Sequence, residues 1–250
     1  MALMPILRVD PQDMPSFAIV CGDPFRAAAI AERLEGATEL AHAREYRTFK
    51  GTYKGVELAV VSHGVGGPGA AVCFEELIKA GVTTIIRVGT AGSLAGDYRA
   101  GSLIVSTAAV REEGLTRQLV PLAYPAVADS QVTDALYKAA LSANPPGPVG
   151  KGVTLTVDAF FTGVVDTPHA TYERAGVLAV EMEIAALYVI ASLRGIRAGA
   201  IVALDGDSKS VDEEYDPHRS IVAEAVDAEI RAALEAIAAL AQAESNERQK

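Results

Sequence analysis

Two arginines stand beside glycine turns in a way that suits one small anion. Arg26 closes the segment Gly22-Asp23-Pro24-Phe25-Arg26, directly after an apolar run over 17–21. A strand that ends in glycine and opens a helix leaves backbone N–H groups for an anion, and Arg26 adds a charged donor in the first helical turn. Taken alone, this motif is equally an ordinary strand-to-helix turn with its arginine on the surface. Arg87 makes the stronger case. It lies inside Thr84-Ile85-Ile86-Arg87-Val88 and precedes Gly89-Thr90-Ala91-Gly92-Ser93. Arginine in an apolar strand is costly unless paired, because it keeps its proton and so its charge. The following turn offers N–H groups and the Thr90 hydroxyl at the strand's carboxyl end, where open α/β sheets bind ligands. A buried ion pair with a carboxylate is the duller alternative, and an oxyanion site fits the turn better.

Carboxylates supply the other half of the chemistry. Val180-Glu181-Met182-Glu183 enters a helix after an apolar run, so two acids could accept bonds from sugar hydroxyls. Acids in a first helical turn more often stabilise the helix dipole, and alone the segment favours that plain role. Ala203-Leu204-Asp205-Gly206-Asp207 ends another apolar run. A carboxyl there serves as a general acid if a partly apolar site raises its pKa, but turn aspartates are common and nothing local decides. Gly64-Val65-Gly66-Gly67-Pro68-Gly69 satisfies G-x-G-x-x-G. A dinucleotide site also needs an acid at the end of the next strand, and that strand carries Arg87, so nicotinamide binding is rejected in favour of an anion or a close backbone approach. His42, His63, His169 and His218 are scattered, and neither H-x-x-x-H nor C-x-x-C spacing occurs, so no metal site is expected. No G-x-S-x-G elbow supports a serine hydrolase.

Composition narrows the class further. A formal charge of −10 opposes a polyanionic partner, and no basic stripe is present to track a nucleic-acid backbone. Half the residues are apolar, yet every long apolar stretch is interrupted; 180–204 carries Glu181, Glu183, Arg194 and Arg197. No segment suits a bilayer, and the amino terminus lacks the basic-then-apolar profile of a signal peptide. Cys21 and Cys73 lie in apolar surroundings and read as reduced, buried thiols. A cytoplasmic protein without nucleic-acid or membrane partners is expected.

These residues need elements to position them. Apolar runs at 16–21, 57–62, 83–88, 102–106, 153–157 and 199–204 read as strands, and helix-period segments at 26–34, 70–80, 132–143, 183–193 and 220–241 read as helices. The last, rich in alanine with spaced glutamates, reads as an amphipathic surface helix. Residues 47–55 alternate like a hairpin arm, and Pro145, Pro146 and Pro148 mark a surface loop. The pattern predicts a single α/β domain over 1–244, three-layer αβα with a central, mostly parallel mixed sheet, and a fraying polar tail over 245–250.

Taken in order, the blocks resemble the nucleoside phosphorylase family that includes hexameric purine nucleoside phosphorylases and uridine phosphorylases. The matching order is Gly22-Asp23-Pro24-x-Arg26, Arg44-Glu45-Tyr46, Ser62-His63-Gly64-Val65-Gly66, Phe74-Glu75-Glu76-Leu77, Arg87-x-Gly89-Thr90-x-Gly92-Ser93 and Val180-Glu181-Met182-Glu183. It extends from about Gly22 to the final helix. The resemblance implies that Gly22, Arg26, Arg87 and Thr90 hold phosphate. It implies that Arg44 reaches the phosphate of a neighbouring subunit, in a homo-oligomer expected to be a hexamer built as a trimer of dimers. Glu181, Met182 and Glu183 would hold the nucleoside, with Glu183 on the ribose 2′ and 3′ hydroxyls and Phe160 against the base. Inorganic phosphate is then a co-substrate, and neither a metal nor an organic cofactor is implied. Three arginines around one phosphate dianion would neutralise it and aim it at the anomeric carbon.

The base is read from two places. Uridine phosphorylases similar to this chain carry Gln-x-Arg soon after the stacking aromatic; here Phe161-Thr162-Gly163-Val164-Val165-Asp166 follows Phe160. Purine enzymes place an aspartate after the next strand, in one branch as Asp-Gly followed by a lysine and an Asp-Glu pair, which Asp205-Gly206, Lys209 and Asp212-Glu213 resemble. The resemblance therefore favours phosphorolysis of inosine-like or guanosine-like purine nucleosides, with Asp205 as the general acid to purine N7. Uridine phosphorolysis is the alternative, and 5′-methylthioadenosine phosphorolysis or hydrolytic nucleosidase activity a second. One departure bears on the 5′ end. Family members usually carry a histidine near the amino terminus for the 5′-hydroxyl, and Met4-Pro5-Ile6-Leu7-Arg8 has none.

Overall fold

A computed structural model describes residues 2–161, 163–208, 216 and 218–248, with the Arg248 side chain left out. Along the chain, β1 (Phe17–Cys21) leads into α1 (Pro24–Ala31), and β2 (Glu35–Ala43), β3 (Tyr46–Tyr53) and β4 (Val56–Ser62) form an antiparallel meander. There follow α2 (Gly67–Lys79), β5 (Thr84–Ser93), β6 (Leu103–Glu112), α3 (Leu115–Leu119), β7 (Ala126–Val127), α4 (Ser130–Ser142) and β8 (Val149–Val157). The chain continues through α5 (His169–Arg174), β9 (Ala179–Glu181), α6 (Ile184–Arg194), β10 (Arg197–Asp207) and α7 (Ser220–Arg248).

The strands make one mixed sheet in the order β10-β6-β8-β9-β5-β1-β4-β3-β2, with β7 on β6. Because β10 also pairs with β5, the strands β5, β10, β6, β8 and β9 close on themselves. The run β4, β1, β5, β10 is parallel throughout. Its strands are near-continuous apolar runs, as a sheet covered on both faces requires. Residues of α2 and α6 pack on one face, and residues of α1, α4 and α7 on the other. Parallel strands bring their carboxyl ends to one edge, so Gly22, Gly64, residues 89–92 and Asp205 arrive together although up to 183 positions separate them; residues 89–92, expected as a turn, are the carboxyl-terminal part of β5, paired with β10.

Helix starts follow local chemistry. The Asp23 carboxylate accepts from Phe25 N at 2.8 Å with Pro24 at the first helical position, and Asp129 accepts from Val132 N at 2.9 Å to begin α4. Two expectations change. The final helix keeps an exposed face at Glu224, Arg231 and Gln242, but its buried side is wider than a surface helix needs: Val222, Ala225, Ala228, Ile230, Ala233, Ile237 and Leu240 are all buried. It also runs on to Arg248, into the segment expected to fray. Strand β2 went unpredicted because its outward positions are polar and mostly exposed, leaving no apolar alternation to read.

Candidate active site

A cavity of about 640 Å³ opens at the carboxyl edge of the parallel strands. Its walls include Gly22, Arg26, Arg87, Gly89, Thr90, Phe160, Glu181, Met182, Glu183 and Asp205. Nine of the ten predicted site residues thus meet in one space together with Gly89; Arg44, expected to serve a neighbouring subunit, lies outside the lining. Arg44 is exposed in the tight β2–β3 turn with φ of +58°, a left-handed conformation that an arginine adopts at a cost.

Arg87 is the hub. Its side chain is 4 % exposed and ion-pairs with Glu183, while Nη2 lies 3.3 Å from Glu181 Oε2. Its buried Nε and Nη1 have no protein partner, so two donor nitrogens are unspent on a residue that lines the cavity together with Thr90. The guanidinium folds back over Gly89: a Cβ there would sit 2.0 Å from Nη1. Glycine at this position is therefore a condition of the arginine's pose.

The two glutamates divide their work. Glu181 accepts from Thr156 Oγ1 at 2.6 Å, Glu183 N at 2.7 Å and Ile184 N at 2.9 Å, which fixes the turn from β9 into α6. Burial raises its pKa against the pull of Arg87. Glu183 accepts from Gly66 N at 2.6 Å and pairs with Arg87. Burial would raise its pKa too, but the Arg87 charge and the Gly66 N–H outweigh it and hold the carboxyl down. Glu183 is accordingly an ionised acceptor in a nearly dry site. Gly66 adopts φ of +96° as it enters α2, and its N–H serves Glu183, so the glycine motif gives a close backbone approach.

His63 sits at the end of β4, fully buried, with Nδ1 2.9 Å from the Gly64 carbonyl. That carbonyl only accepts, so Nδ1 carries the proton and Nε2 is left as an acceptor without a partner. Burial lowers its pKa to about 4, so the ring is neutral beside Glu183. Asp205, 4 % exposed, lies at the register shift between Leu204 and Gly206 in β10 at the cavity wall, and its backbone carbonyl accepts from Arg219 Nη2 at 2.5 Å. Phe160 lines the mouth at 45 % exposure and meets Phe161 edge-on, with centroids 5.1 Å apart. Lys209, Asp212, Glu213 and Thr162 lie outside the described residues.

Sequence reasoning missed the second sphere of this site. Glu45 and His63 stand inside matching blocks without a role assigned from the sequence, and His169 carries no motif of its own, although Glu45 and His169 line the cavity. Glu229, on a helix whose sequence reads as a surface helix, is buried with Oε1 3.7 Å from Arg26 Nη1. Its signal was an acid on the apolar stripe of an alanine-rich helix.

Comparison with known proteins agrees with this geometry. The Phosphorylase superfamily pattern matches residues 16–243. The chain belongs to that family. This phosphorylase is 39 % identical over 206 residues to a uridine phosphorylase of Thermococcus kodakarensis, covering 78 % of this chain and 74 % of that one. It is 36 % identical over 220 residues to a purine nucleoside phosphorylase of Plasmodium falciparum, covering 85 % and 89 %. Among solved structures it matches the Toxoplasma gondii purine nucleoside phosphorylase in complex with immucillin-H, with a TM-score of 0.91, 32 % identity and 96 % and 97 % of the two chains covered. The phosphorylase fold is therefore established, and with it nucleoside phosphorylase activity. Among the described residues no helix is long and apolar enough to cross a membrane, and no cluster of His, Cys, Asp or Glu suits a metal ion.

Proposed function

We propose that this phosphorylase acts on purine nucleosides of the inosine or guanosine type, yielding the free base and ribose 1-phosphate. The observation that carries the purine reading is Asp205, a buried carboxyl lining the same cavity as Arg87, Glu183 and Phe160. The sequence after Phe160 also lacks the Gln-x-Arg pair that would read a uracil edge.

Phosphate lies between Arg26 and Arg87, taking further bonds from Gly22 N–H and Thr90, because Arg87 has two spare donors there. Ionised Glu183 accepts from the ribose 2′ and 3′ hydroxyls, Met182 packs under the sugar, Glu181 braces the turn and Phe160 covers the base. As the glycosidic bond lengthens, the sugar becomes oxocarbenium-like and its bonding electrons move onto the purine. Protonated Asp205 gives its proton to N7, which makes the base a better leaving group. A phosphate oxygen then bonds to the anomeric carbon, and the products are neutral base and ribose 1-phosphate. Arg44, exposed and outside its own cavity, completes the phosphate site of a neighbour in a hexamer, a trimer of dimers, working in the cytoplasm; its left-handed backbone supports a functional constraint at that turn. No metal or organic cofactor takes part.

Parallel assays on inosine, 5′-methylthioadenosine and uridine, each with phosphate, test the base and the 5′ end. Inosine is expected to outrun uridine, and Asp205→Ala to lower inosine turnover by about 10²-fold or more while phosphate still binds. Faster uridine cleavage, or near-normal inosine turnover in the variant, refutes the purine reading.

A further inference from the structure

Glu229 projects from α7 with its side chain fully buried, and neither carboxylate oxygen has a hydrogen-bond partner. Around it α7 is apolar: Ala225, Ala228, Ile230, Ala232 and Ala233 are buried. A carboxylate without a close hydrogen bond is costly in such a place, and an aliphatic side chain would fill it at less cost. Its described ion-pair contact is long, 3.7 Å from Oε1 to Arg26 Nη1. The charged groups acting on it are Arg26 from α1 and Arg87 from β5, the two cations of the cavity wall. Backbone N–H groups of Gly89 on β5 and Ala203 on β10 also favour its charged form, though neither comes within close hydrogen-bond reach, and its charge reaches the buried thiol of Cys21 on β1. Glu229 therefore stands behind the anion cradle and shares its arginines.

We propose that Glu229 is a positioning residue for phosphate: as a carboxylate it holds Arg26 back in the empty site, and on anion binding it takes a proton from solvent and yields the guanidinium to the anion. This rests on the phosphate site proposed above. Two guanidiniums cannot balance a dianion and a carboxylate together, so the arriving anion favours the neutral acid. Burial has already raised the carboxyl to about 8 against both arginines. Below that pH the acid is mostly neutral and Arg26 is available. Above it, binding must take up a proton.

Sulfate is the probe, because it stays a dianion across the range and contributes no proton of its own. Calorimetry of the full-length protein with sulfate, in buffers of different ionisation enthalpy, counts protons taken up per anion bound. Affinity is expected to be nearly flat on the acid side and to fall about tenfold per pH unit well above pH 8, the slope for one linked proton, with uptake approaching one. Glu229→Gln, a neutral isostere, should bind sulfate without uptake, with a flat profile and a phosphate KM roughly tenfold below the parent's at about pH 9. Glu229→Leu should do the same, and the proton count on the unaltered protein needs no variant. Sulfate binding well above pH 8 without proton uptake, or parallel pH profiles for the protein and its variants, overturns the role of Glu229 while leaving the cradle intact. No sulfate binding at any pH overturns the cradle itself, and this role with it.

Discussion

Arg87 and Arg111 are both buried arginines, and only one of them is chemically available. Arg111 donates from Nε to Thr116 Oγ1, from Nη1 to the carbonyls of Pro121, Leu122 and Tyr124, and from Nη2 to Thr116 and Val120. Every direction of its guanidinium is used to hold the α3 segment together. Arg87 spends one nitrogen on Glu181 and Glu183 and keeps two unpartnered. An arginine with unpaired donors in a dry wall is costly unless an anion completes it. Removing it leaves two buried carboxylates facing each other. Arg87→Met is therefore expected to destabilise the fold by about 3–5 kcal/mol and abolish phosphate binding, whereas Arg26→Ala, at a more exposed position, should raise the phosphate KM with a much smaller loss of stability. Thermal unfolding and phosphate KM, measured together, separate the two. Equal stability losses would mean that Arg87 has no special place. Gly89→Ala tests the pose: a methyl group 2.0 Å from Nη1 must displace the guanidinium, so the phosphate KM should rise about tenfold or more with the fold retained. An unchanged KM would count against this pose.

At the scale of elements, α7 shows what a sequence pattern conceals. Its alanines pack closely on the sheet, and the buried acid among them is a liability that varies with pH. Folding raises the Glu229 carboxyl from the ordinary carboxylate range to about 8, so between those limits the folded protein holds more protons than the unfolded chain. Stability therefore declines as pH rises through that window. Glu229→Leu removes the decline: its thermal midpoint should exceed the parent's by a margin that grows from about pH 5 to pH 8.5. A constant margin would show that the acid keeps one protonation state. The elements that bear the chemistry were legible because their runs are apolar and end in glycine or aspartate, as with 17–21 into Gly22 and 199–204 into Asp205. The residues behind them were not. Glu229 and His63 reach the site through packing of distant elements, and β2 hid because a polar outer strand has no alternation. Glu181 illustrates the converse: its plain reading, fixing a helix start, is what its hydrogen bonds show.

Across the whole molecule, the carboxyl edge of the parallel strands gathers the cavity, and Arg44 is the predicted ligand it leaves out. If Arg44 completes a neighbour's site, two defects on different subunits should compensate. Arg44→Ala and Asp205→Ala proteins, each weak alone, should regain activity on refolding together, up to about a quarter of the parent's sites in a reciprocal dimer. No recovery in mixed assemblies would place Arg44 outside the chemistry. The account as a whole turns on an anion that does the cleaving. Its most direct test is incubation of the protein with inosine, with and without inorganic phosphate, measuring hypoxanthine and ribose 1-phosphate together. The expected result is base released only with phosphate and matched mole for mole by ribose 1-phosphate. Base released equally without phosphate, with free ribose as the other product, would contradict it.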